Sequence, residues 1–319
     1  MKKVLITGAT GFAGSFLTEH LVAQNAYEVT GTYITEEKLK NIASVQDKIK
    51  TIQVDLLDGE KVSQIIAETK PDLLFHLAAL ASPGISFKNP AQTMTTNITT
   101  QVNLLEAIRK NDLKQTRILI IASADMYGLV AKEDLPMDED TPMRPTNPYA
   151  VSKIAQDYLG LQYFLTYKLP IIRVRPFNHI GPRQGLHFVI SDFAKRIADI
   201  EKRVTPPVFK VGNLDAKRDF TDVRDTVRAY VAILEKGESG EAYNIGSGVS
   251  HTMSDIVEMM RKECTVPFTI EQDPTLLRPS DNPELLCDNT KIKQLTGWQP
   301  EIPLEKTLKD TLDYWRNID

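Results

Sequence analysis

A tyrosine and a lysine four positions apart, with a serine upstream, form the group with the clearest chemical potential in this sequence. Asn147 and a following proline precede Tyr149, which is typical of a helix start. Tyr149 and Lys153 then share one helix face. A phenol has a pKa of about 10, and we expect the Lys153 ammonium to lower it, so that Tyr149 exchanges a proton with a substrate oxygen. Ser123 follows a predicted strand and could hold the same oxygen.

A glycine-rich loop near residue 8 predicts a binding site for a dinucleotide. Three glycines with the spacing GxxGxxG lie between a predicted strand, Lys3–Thr7, and a predicted helix, Phe12–Gln24. This arrangement allows a tight turn, close approach of the backbone to a pyrophosphate, and a helix N-terminus whose free N–H groups favour anions. The residues expected to contact the cofactor here are Gly8, Thr10, Gly11, Phe12, Ala13 and Gly14.

The end of the second predicted strand bears on the choice of cofactor. An acidic residue there would accept a ribose hydroxyl and select NAD(H), whereas residues 31–33 read Gly-Thr-Tyr. Because no carboxylate repels a 2′-phosphate, NADP(H) is favoured, and Lys38 or Lys40 could approach that phosphate. Both lysines also fit a solvated helix face, and NAD(H) stays open as the alternative.

Strands and helices alternate through the first half of the chain. The predicted strands are Lys3–Thr7, Tyr27–Thr32, Thr51–Val54, Leu73–Leu77, Arg117–Ala122 and Ile171–Arg175. The predicted helices between them are Phe12–Gln24, Glu36–Ile42, Gly59–Glu68, Ala91–Lys110 and Pro148–Tyr167. This alternation predicts an α/β fold with a Rossmann-type, doubly wound parallel sheet.

The pattern changes after residue 178. The predicted helices here are Val189–Ile200, Thr221–Glu235, Met253–Glu263 and Leu304–Arg316, and the predicted strands are Val208–Val211 and Tyr243–Ile245. We expect residues 1–178 to form a cofactor-binding lobe, which a late strand near residues 241–247 rejoins. Residues 179–319 are expected to form mainly a smaller α/β lobe for the substrate.

Composition excludes several classes of protein. The 319 residues include 38 Lys and Arg against 42 Asp and Glu, a net charge of −4, so neither nucleic acid nor an anionic membrane is an expected partner. No window approaches the roughly 18–20 apolar residues of a membrane span. Cys264 and Cys287 lack CxxC spacing, which excludes a disulfide scaffold and a Cys-ligated zinc site. We expect a soluble, cytoplasmic protein without a metal.

A set of motifs in fixed order resembles the extended short-chain dehydrogenase/reductases over essentially the whole chain. The motifs are Thr7–Gly14, Asp55-Leu56, His76-Leu77-Ala78-Ala79, Asn97, Ser123, Tyr149–Lys153 and Arg175-Pro176-Phe177-Asn178. The resemblance implies a Rossmann lobe and a nucleotide-sugar lobe. By that resemblance the cofactor also meets Asp55 and Leu56 at the adenine, Leu77, Ala78 and Ala79 near the nicotinamide ribose, Asn97, Tyr149, and Lys153 on the ribose hydroxyls. His76 fits a packed strand residue better than a catalytic base.

Motifs in the second half resemble the GDP-mannose branch of that family, and within it the reductases of GDP-linked 4-keto-6-deoxy sugars. These motifs are residues 177–182, 192–195, 211–214, 218–225 and 278–280. A sugar diphosphate needs cations and hydrogen-bond donors. By the resemblance, the expected substrate contacts are Ser86, Ser123, Ala124, Asp125, Tyr149, Asn178, Lys195, Arg218 and Arg278. Surface salt bridges are the alternative reading of each arginine.

Residues 123–125 separate a reductase from a dehydratase. Related dehydratases carry Thr-Asp-Glu here and use the two carboxyl groups as acid and base, whereas this chain reads Ser123-Ala124-Asp125. Ala124 cannot protonate a leaving hydroxyl. The resemblance therefore implies a reductase, in which NADPH delivers hydride to C4 of GDP-4-keto-6-deoxy-D-mannose, Tyr149 supplies the proton, and GDP-D-rhamnose forms.

Three alternatives stay open. A dehydratase would need Asp125 and a water for both proton transfers, a nucleotide-sugar 4-epimerase would retain its NAD, and a catalytically silent regulator would only bind NAD(P). Many relatives also pair through the helices matching Ala91–Lys110 and Pro148–Tyr167, so the resemblance implies a homodimer.

Overall fold

The computed structural model describes residues 1–276 and 282–318, and its central feature is a parallel sheet of seven strands. The strands are β1 (Lys2–Thr7), β2 (Tyr27–Tyr33), β3 (Lys50–Gln53), β4 (Leu73–His76), β5 (Arg117–Ile121), β6 (Ile171–Pro176), β7 (Asn178–Ile180), β8 (Val208–Val211), β9 (Lys217–Asp222), β10 (Ala242–Ile245), β11 (Ser250–Thr252), β12 (Thr269–Gln272) and β13 (Glu284–Leu285). The helices are α1 (Phe12–Ala23), α2 (Gly59–Thr69), α3 (Pro83–Lys88), α4 (Pro90–Lys110), α5 (Pro148–Tyr167), α6 (Val189–Glu201), α7 (Val223–Lys236), α8 (Met253–Glu263), α9 (Thr290–Thr296) and α10 (Leu304–Arg316).

The strand order of the central sheet is β10-β6-β5-β4-β1-β2-β3, and every neighbouring pair is parallel. The order reverses between β1 and β4, so a crevice opens at their carboxyl ends, where such sheets bind ligands. Helices α1 and α7 cover one face, and α2, α4 and α5 cover the other. The predicted Rossmann-type α/β fold is confirmed.

The buried strands explain the continuous apolar runs of the sequence. In β1, Val4 and Ile6 pack into the layer beneath α1 and α7, while Leu5 between them packs into the layer beneath α4. Successive side chains of a strand point to opposite faces, so a strand covered on both sides is apolar throughout. These buried strands end at the edge of the sheet where the candidate site lies.

The C-terminal half adds two smaller sheets and returns once to the central one. Strand β9 pairs with β7, β11 and β13, and β8 pairs with β12. Helices α6, α8 and α10 enclose a separate apolar core. Strand β10 leaves this region and lies parallel to β6 at the edge of the central sheet. No helix of the described ranges is long and apolar enough to cross a membrane.

One sequence-based prediction is wrong in detail. The helix expected from Thr221 begins at Val223, because Thr221 and Asp222 end strand β9 and Asp222 caps the helix by accepting from the Arg224 N–H. The sequence does not predict strand β9, because it contains a run of charged residues. Its buried Asp219 carboxylate accepts hydrogen bonds from N–H groups far along the chain. Residues 36–42 are helical as predicted, and the segment is a 3₁₀ helix.

Candidate active site

The glycine loop lies at the carboxyl end of β1 and packs backbone against backbone. Gly8 has a φ of +70°, in the left-handed region that favours glycine. A Cβ placed on Gly14 would lie 2.1 Å from the Gly8 carbonyl oxygen. Gly11 is the N-cap of α1, and no side chain caps that terminus. Its N–H groups are therefore available to a pyrophosphate.

Strand β2 holds the glycine loop in place through hydrogen bonds. The Thr32 carbonyl accepts from the Ala9 N–H at 2.9 Å, and the Thr32 hydroxyl accepts from the Gly8 N–H at 3.3 Å. A Cβ on Gly31 would lie 2.6 Å from the Ala9 Cβ, so this position must be glycine for the loop to approach. Sequence reasoning missed this role, although a glycine inside a strand is itself a signal of close approach. The loop fits a dinucleotide because it is held in place and its exposed residue, Gly11, begins a helix that no side chain caps.

Replacing Gly14 with alanine tests this fit. The added methyl group would meet the Gly8 carbonyl oxygen, so the loop must shift away from its position. We expect an affinity loss for NAD(P)H of about tenfold or more, measured by fluorescence titration. Gly84→Ala is the matched control, because a Cβ at Gly84 meets nothing within 4 Å. Unchanged affinity in Gly14→Ala would contradict the close packing of the loop.

The other predicted cofactor residues lie at the same edge of the sheet. Asp55 and Leu56 follow β3, where the Asp55 carboxylate accepts from the Leu57 N–H at 2.9 Å. Leu77, Ala78 and Ala79 follow β4. Their turn is tied to β1, because the Leu77 and Ala78 N–H groups donate to the carbonyl and the hydroxyl of the last β1 residue, both at 3.2 Å. The carboxyl ends of the strands therefore gather these positions along one crevice.

Asn97 connects that crevice to α5, the helix that carries Tyr149. It is fully buried, its Oδ1 accepts from the Leu80 N–H at 2.7 Å, and its Nδ2 donates to the Leu80 carbonyl and to the Ser152 hydroxyl. The Ser152 hydroxyl donates in turn to the Tyr149 carbonyl at 2.7 Å. The side-chain amide is thus engaged with protein groups and holds the turn after β4 against α5. Ser86 is also buried, in α3, where its hydroxyl donates to the Pro83 carbonyl.

The predicted reaction centre is assembled at the start of α5. Asn147 caps this helix by accepting from the Ala150 N–H at 2.8 Å, as the sequence predicts. Tyr149 is buried, and Ser123 lies near its hydroxyl. Lys153 is also buried, its Nζ donates to the Ile121 carbonyl at 2.8 Å, and this nitrogen lies 5.8 Å from the centre of the Tyr149 ring.

Burial moves the pKa values of the tyrosine and the lysine in opposite directions. Loss of solvent raises the pKa of Tyr149, the nearby Asp125 carboxylate raises it further, and the hydrogen bond with Ser123 lowers it. Loss of solvent also lowers the pKa of Lys153 to about 7. The expectation that Lys153 lowers the pKa of Tyr149 is therefore wrong for this structure, because desolvation of the phenol dominates. A neutral phenol is suited to donate a proton.

The candidate substrate residues are placed along β5, β7 and the C-terminal half. Ala124 is buried, Asp125 is partly exposed, and Asn178 begins β7. Lys195 forms an ion pair with the carboxylate of the residue one turn on in α6, at 2.5 Å. Arg218, in β9, donates to backbone carbonyls. Arg278 lies outside the described residues.

A buried ionic network, which sequence reasoning missed, holds α5 against the sheet. Asp157 on α5 is fully buried and accepts from both Arg173 and Arg175 of β6. Arg175 also donates to the Tyr127 hydroxyl, which donates to Asn244 of β10 at 2.7 Å. Two arginines inside an otherwise apolar strand are the signal that could have revealed it, since buried charges require partners.

His76 is a packed residue of β4, as predicted. It is buried, and its Nδ1 lies 2.8 Å from the hydroxyl of Thr7 on the neighbouring strand. Burial and the Lys153 charge lower its pKa to about 3, so the ring is neutral. Within residues 1–276 and 282–318, no cluster of three or more His, Cys, Asp or Glu side chains could hold a metal ion.

Known proteins resemble this chain over almost its whole length. The family described as GDP-mannose 4,6-dehydratase matches residues 5–311. GDP-6-deoxy-D-mannose reductase of Pseudomonas aeruginosa is 33% identical, covering 99% of this chain and 98% of that protein. GDP-mannose 4,6-dehydratase of Vibrio cholerae is 30% identical, covering 96% of this chain and 91% of that protein.

A solved structure extends the similarity to three dimensions. The structure of RMD from Pseudomonas aeruginosa complexed with NADPH superposes with a TM-score of 0.87 at 32% identity, covering 99% of each chain. The family match, the sequence relatives and this structure agree with one another over almost the whole chain. The chain therefore belongs to the GDP-mannose 4,6-dehydratase family and is a nicotinamide-dependent enzyme of the extended short-chain dehydrogenase/reductase type.

Proposed function

We propose that this chain is an NAD(P)H-dependent reductase of a nucleotide-linked 4-keto-6-deoxy sugar, with GDP-4-keto-6-deoxy-D-mannose as substrate and GDP-D-rhamnose as product. The observation that carries this proposal is a buried, neutral Tyr149 near Ser123, beside a position occupied by Ala124. Reduction of a carbonyl needs one proton donor, whereas dehydration also needs an acid for the leaving hydroxyl. Similarity to the reductase from Pseudomonas aeruginosa supports the same choice.

Each residue of the centre then has one task. The reduced nicotinamide, when bound, supplies the hydride. The Ser123 hydroxyl holds the C4 carbonyl oxygen of the sugar, and the Tyr149 hydroxyl donates its proton to that oxygen. The Lys153 ammonium binds the ribose hydroxyls of the cofactor.

The remaining substrate contacts are part of the same proposal. We assign Asn178, Lys195, Arg218 and Arg278 to the sugar diphosphate, because cations and donors are what its oxygens require. Ser86 and Asp125 are assigned to the sugar. Residues 179–319 would then supply most of the nucleotide-sugar lobe, and residues 1–178 with the strand near residues 241–247 the cofactor lobe.

The experiment that tests the reductase follows nicotinamide absorbance. Purified protein is mixed with NADPH and freshly prepared GDP-4-keto-6-deoxy-D-mannose. Oxidation of NADPH that depends on the sugar and runs to completion would support the proposal, and NMR of the product would give the configuration at C4. No oxidation, with cofactor binding intact, would overturn it.

A dehydratase is the second candidate, and Asp125 is the observation that favours it. Its carboxylate lies close enough to Tyr149 to raise the pKa of the phenol, and a carboxylate beside the centre could serve as a base. GDP-mannose incubated with the enzyme and NADP⁺ would then lose one water, detected by mass spectrometry. Asp125→Asn should abolish that reaction, whereas in a reductase it should only weaken binding of the sugar.

We also propose that the enzyme prefers NADPH to NADH. Strand β2 ends without a carboxylate, and Lys38 lies in the 3₁₀ helix that follows. We expect Lys38→Gln to raise KM for NADPH about tenfold, since a hydrogen bond to a charged group is lost, and to leave KM for NADH unchanged. Lys40→Gln tests whether the other candidate lysine reaches the phosphate instead. A lower KM for NADH in the wild type would contradict the preference.

A homodimer is the proposed assembly. Helix α5 exposes Val151, Tyr158 and Leu165, which are 41%, 53% and 57% accessible and recur every seven residues on one stripe. Such a stripe beside α4 is typical of a helix interface. We expect sedimentation to give a dimer in the wild type and a monomer for Tyr158→Asp. A wild-type monomer would contradict the assembly.

A further inference from the structure

Arg183 lies between β7 and α6 in an unusual backbone conformation. Its φ is +71°, in the left-handed region that residues other than glycine rarely adopt. The other non-glycine residues with a positive φ in the described part of the chain all lie just after a helix, where this conformation commonly ends the helix. Arg183 ends no helix, so its surroundings have to offset the cost of its conformation.

The Arg183 guanidinium crosses to helix α1 and to the 3₁₀ helix of residues 36–42. Its Nη2 donates to both carboxylate oxygens of Glu19, at 2.9 and 3.1 Å. Its Nη1 donates to the Ser15 hydroxyl at 3.1 Å and to the Asn41 carbonyl at 2.8 Å. The guanidinium carbon also lies 4.4 Å from the centre of the Phe16 ring. The rigid fork of an arginine can serve these partners at once.

Both acceptors of Nη1 bind the glycine loop in their turn. The Asn41 side-chain amide donates to the Thr10 carbonyl at 2.9 Å. The Ser15 hydroxyl donates to the Phe12 carbonyl, also at 2.9 Å. Thr10 and Phe12 flank Gly11, the residue at which α1 begins. One residue therefore separates the guanidinium from each side of the expected pyrophosphate site.

We expect these contacts to contribute little to the stability of the fold. The Arg183 and Glu19 side chains are both partly exposed, and an ion pair that water reaches adds little to stability. Helix α1 is anchored independently, because Leu17 and Leu21 are fully buried in the core beneath it. A binding site, by contrast, depends on donors that are held to within about 0.5 Å.

We propose that Arg183 is a positioning residue for the cofactor, which fixes Thr10 and Phe12 so that the N–H groups at the start of α1 face the pyrophosphate. The inference rests on the dinucleotide site of the proposed function. The Nη1 and Nη2 donors of Arg183 are engaged with protein groups, so the residue acts through the loop and not by direct contact.

Replacing Arg183 with methionine tests the proposal, because methionine keeps an apolar stem over Phe16 and lacks the donors. Isothermal titration calorimetry measures the Kd of NADPH and of 2′-phospho-ADP-ribose, which lacks the nicotinamide. We expect both Kd values to rise about tenfold, since the hydrogen bonds that support the loop are lost.

Arg316→Met is the matched control. Arg316 is as exposed as Arg183, at 24% against 23%. It also donates to both carboxylate oxygens of a glutamate, in this case Glu201, and so joins α10 to α6. We expect its loss to leave both Kd values unchanged and to lower the Tm of the ligand-free protein at least as much as Arg183→Met does.

Asn41→Ala tests the route through the 3₁₀ helix. It removes the amide that binds the Thr10 carbonyl and leaves Arg183 in place, and we expect both Kd values to rise. In the double variant Arg183→Met/Asn41→Ala, the rise should be smaller than the product of the two single effects, because both changes release the same loop.

Unchanged Kd values in Arg183→Met would overturn the proposal, as would a loss for NADPH alone, which would place the effect at the nicotinamide end. Single effects that multiply in the double variant would also contradict it, since the two residues would then act independently. A Tm of Arg183→Met well below that of Arg316→Met would indicate a structural role instead. A wild type that binds neither ligand would contradict the proposed function.

Discussion

Replacing Tyr149 with phenylalanine should lower kcat by about 10²–10⁴-fold, the usual contribution of a general acid. The change removes only the hydroxyl that donates the proton. The ring itself stays buried against its neighbours, and the backbone of α5 keeps its cap. Initial rates with saturating NADPH and the 4-keto sugar measure the effect, and fluorescence titration should show NADPH binding within about threefold of the wild type.

A tyrosine elsewhere on α5 provides the matched control for this change. Tyr158 is 53% exposed, on the side of the helix away from the sheet, so Tyr158→Phe should retain the wild-type rate. An active Tyr149→Phe variant would contradict the assignment of the proton donor. A variant that also loses NADPH affinity would show that the hydroxyl acts in binding as well.

The reaction centre depends on the burial of Tyr149 and Lys153, because the charged form of each side chain is better solvated in water. Desolvation keeps Tyr149 protonated and brings the pKa of Lys153 down to about 7. A pair of titratable groups whose pKa values are displaced by their surroundings is typical of acid–base sites. The Asp157 network keeps the pair in place, because it anchors the same helix one turn beyond Lys153 to strand β6.

Much of the fold follows from local patterns in the sequence. Helix α5 begins and ends where predicted, because Asn147 and Pro148 mark its start and its apolar face repeats at helical spacing. The central strands are recognisable because both of their faces are buried, which makes each one a short apolar run. Gly8, Gly11 and Gly14 identify the loop, since Gly8 has a positive φ and a Cβ on Gly14 would meet the Gly8 carbonyl oxygen.

The remaining features depend on partners distant in the chain. Strand β9 is a charged segment whose Asp219 finds its donors at Ser247, Gly248 and Cys287, and no local pattern predicts that pairing. The pKa of Tyr149 is a second case. Spacing correctly placed Lys153 on the same helix face, but the extent of desolvation depends on the whole fold, and it outweighs the nearby charge.

The pH dependence of the reaction should report the state of Lys153. With its pKa lowered to about 7, the ammonium predominates below pH 7 and is lost above it. Because kcat/KM reflects groups of the free enzyme, we expect it to fall about tenfold per pH unit above about pH 7. Lys153→Arg keeps its charge throughout this range, so the decline should disappear from its profile, whatever its absolute rate.

The free energy of unfolding should rise with pH over the range in which kcat/KM falls. The fall in kcat/KM would therefore report Lys153 and not unfolding of the protein. In the unfolded chain this lysine has a pKa of about 10.4, so between about pH 7 and 8.5 the unfolded state binds more protons than the folded state. Its contribution to the free energy of unfolding therefore rises with pH while kcat/KM falls. Denaturant titrations of the wild type and Lys153→Met should diverge accordingly. A decline in kcat/KM that persists in Lys153→Arg, or parallel stability curves, would assign the titration to another group.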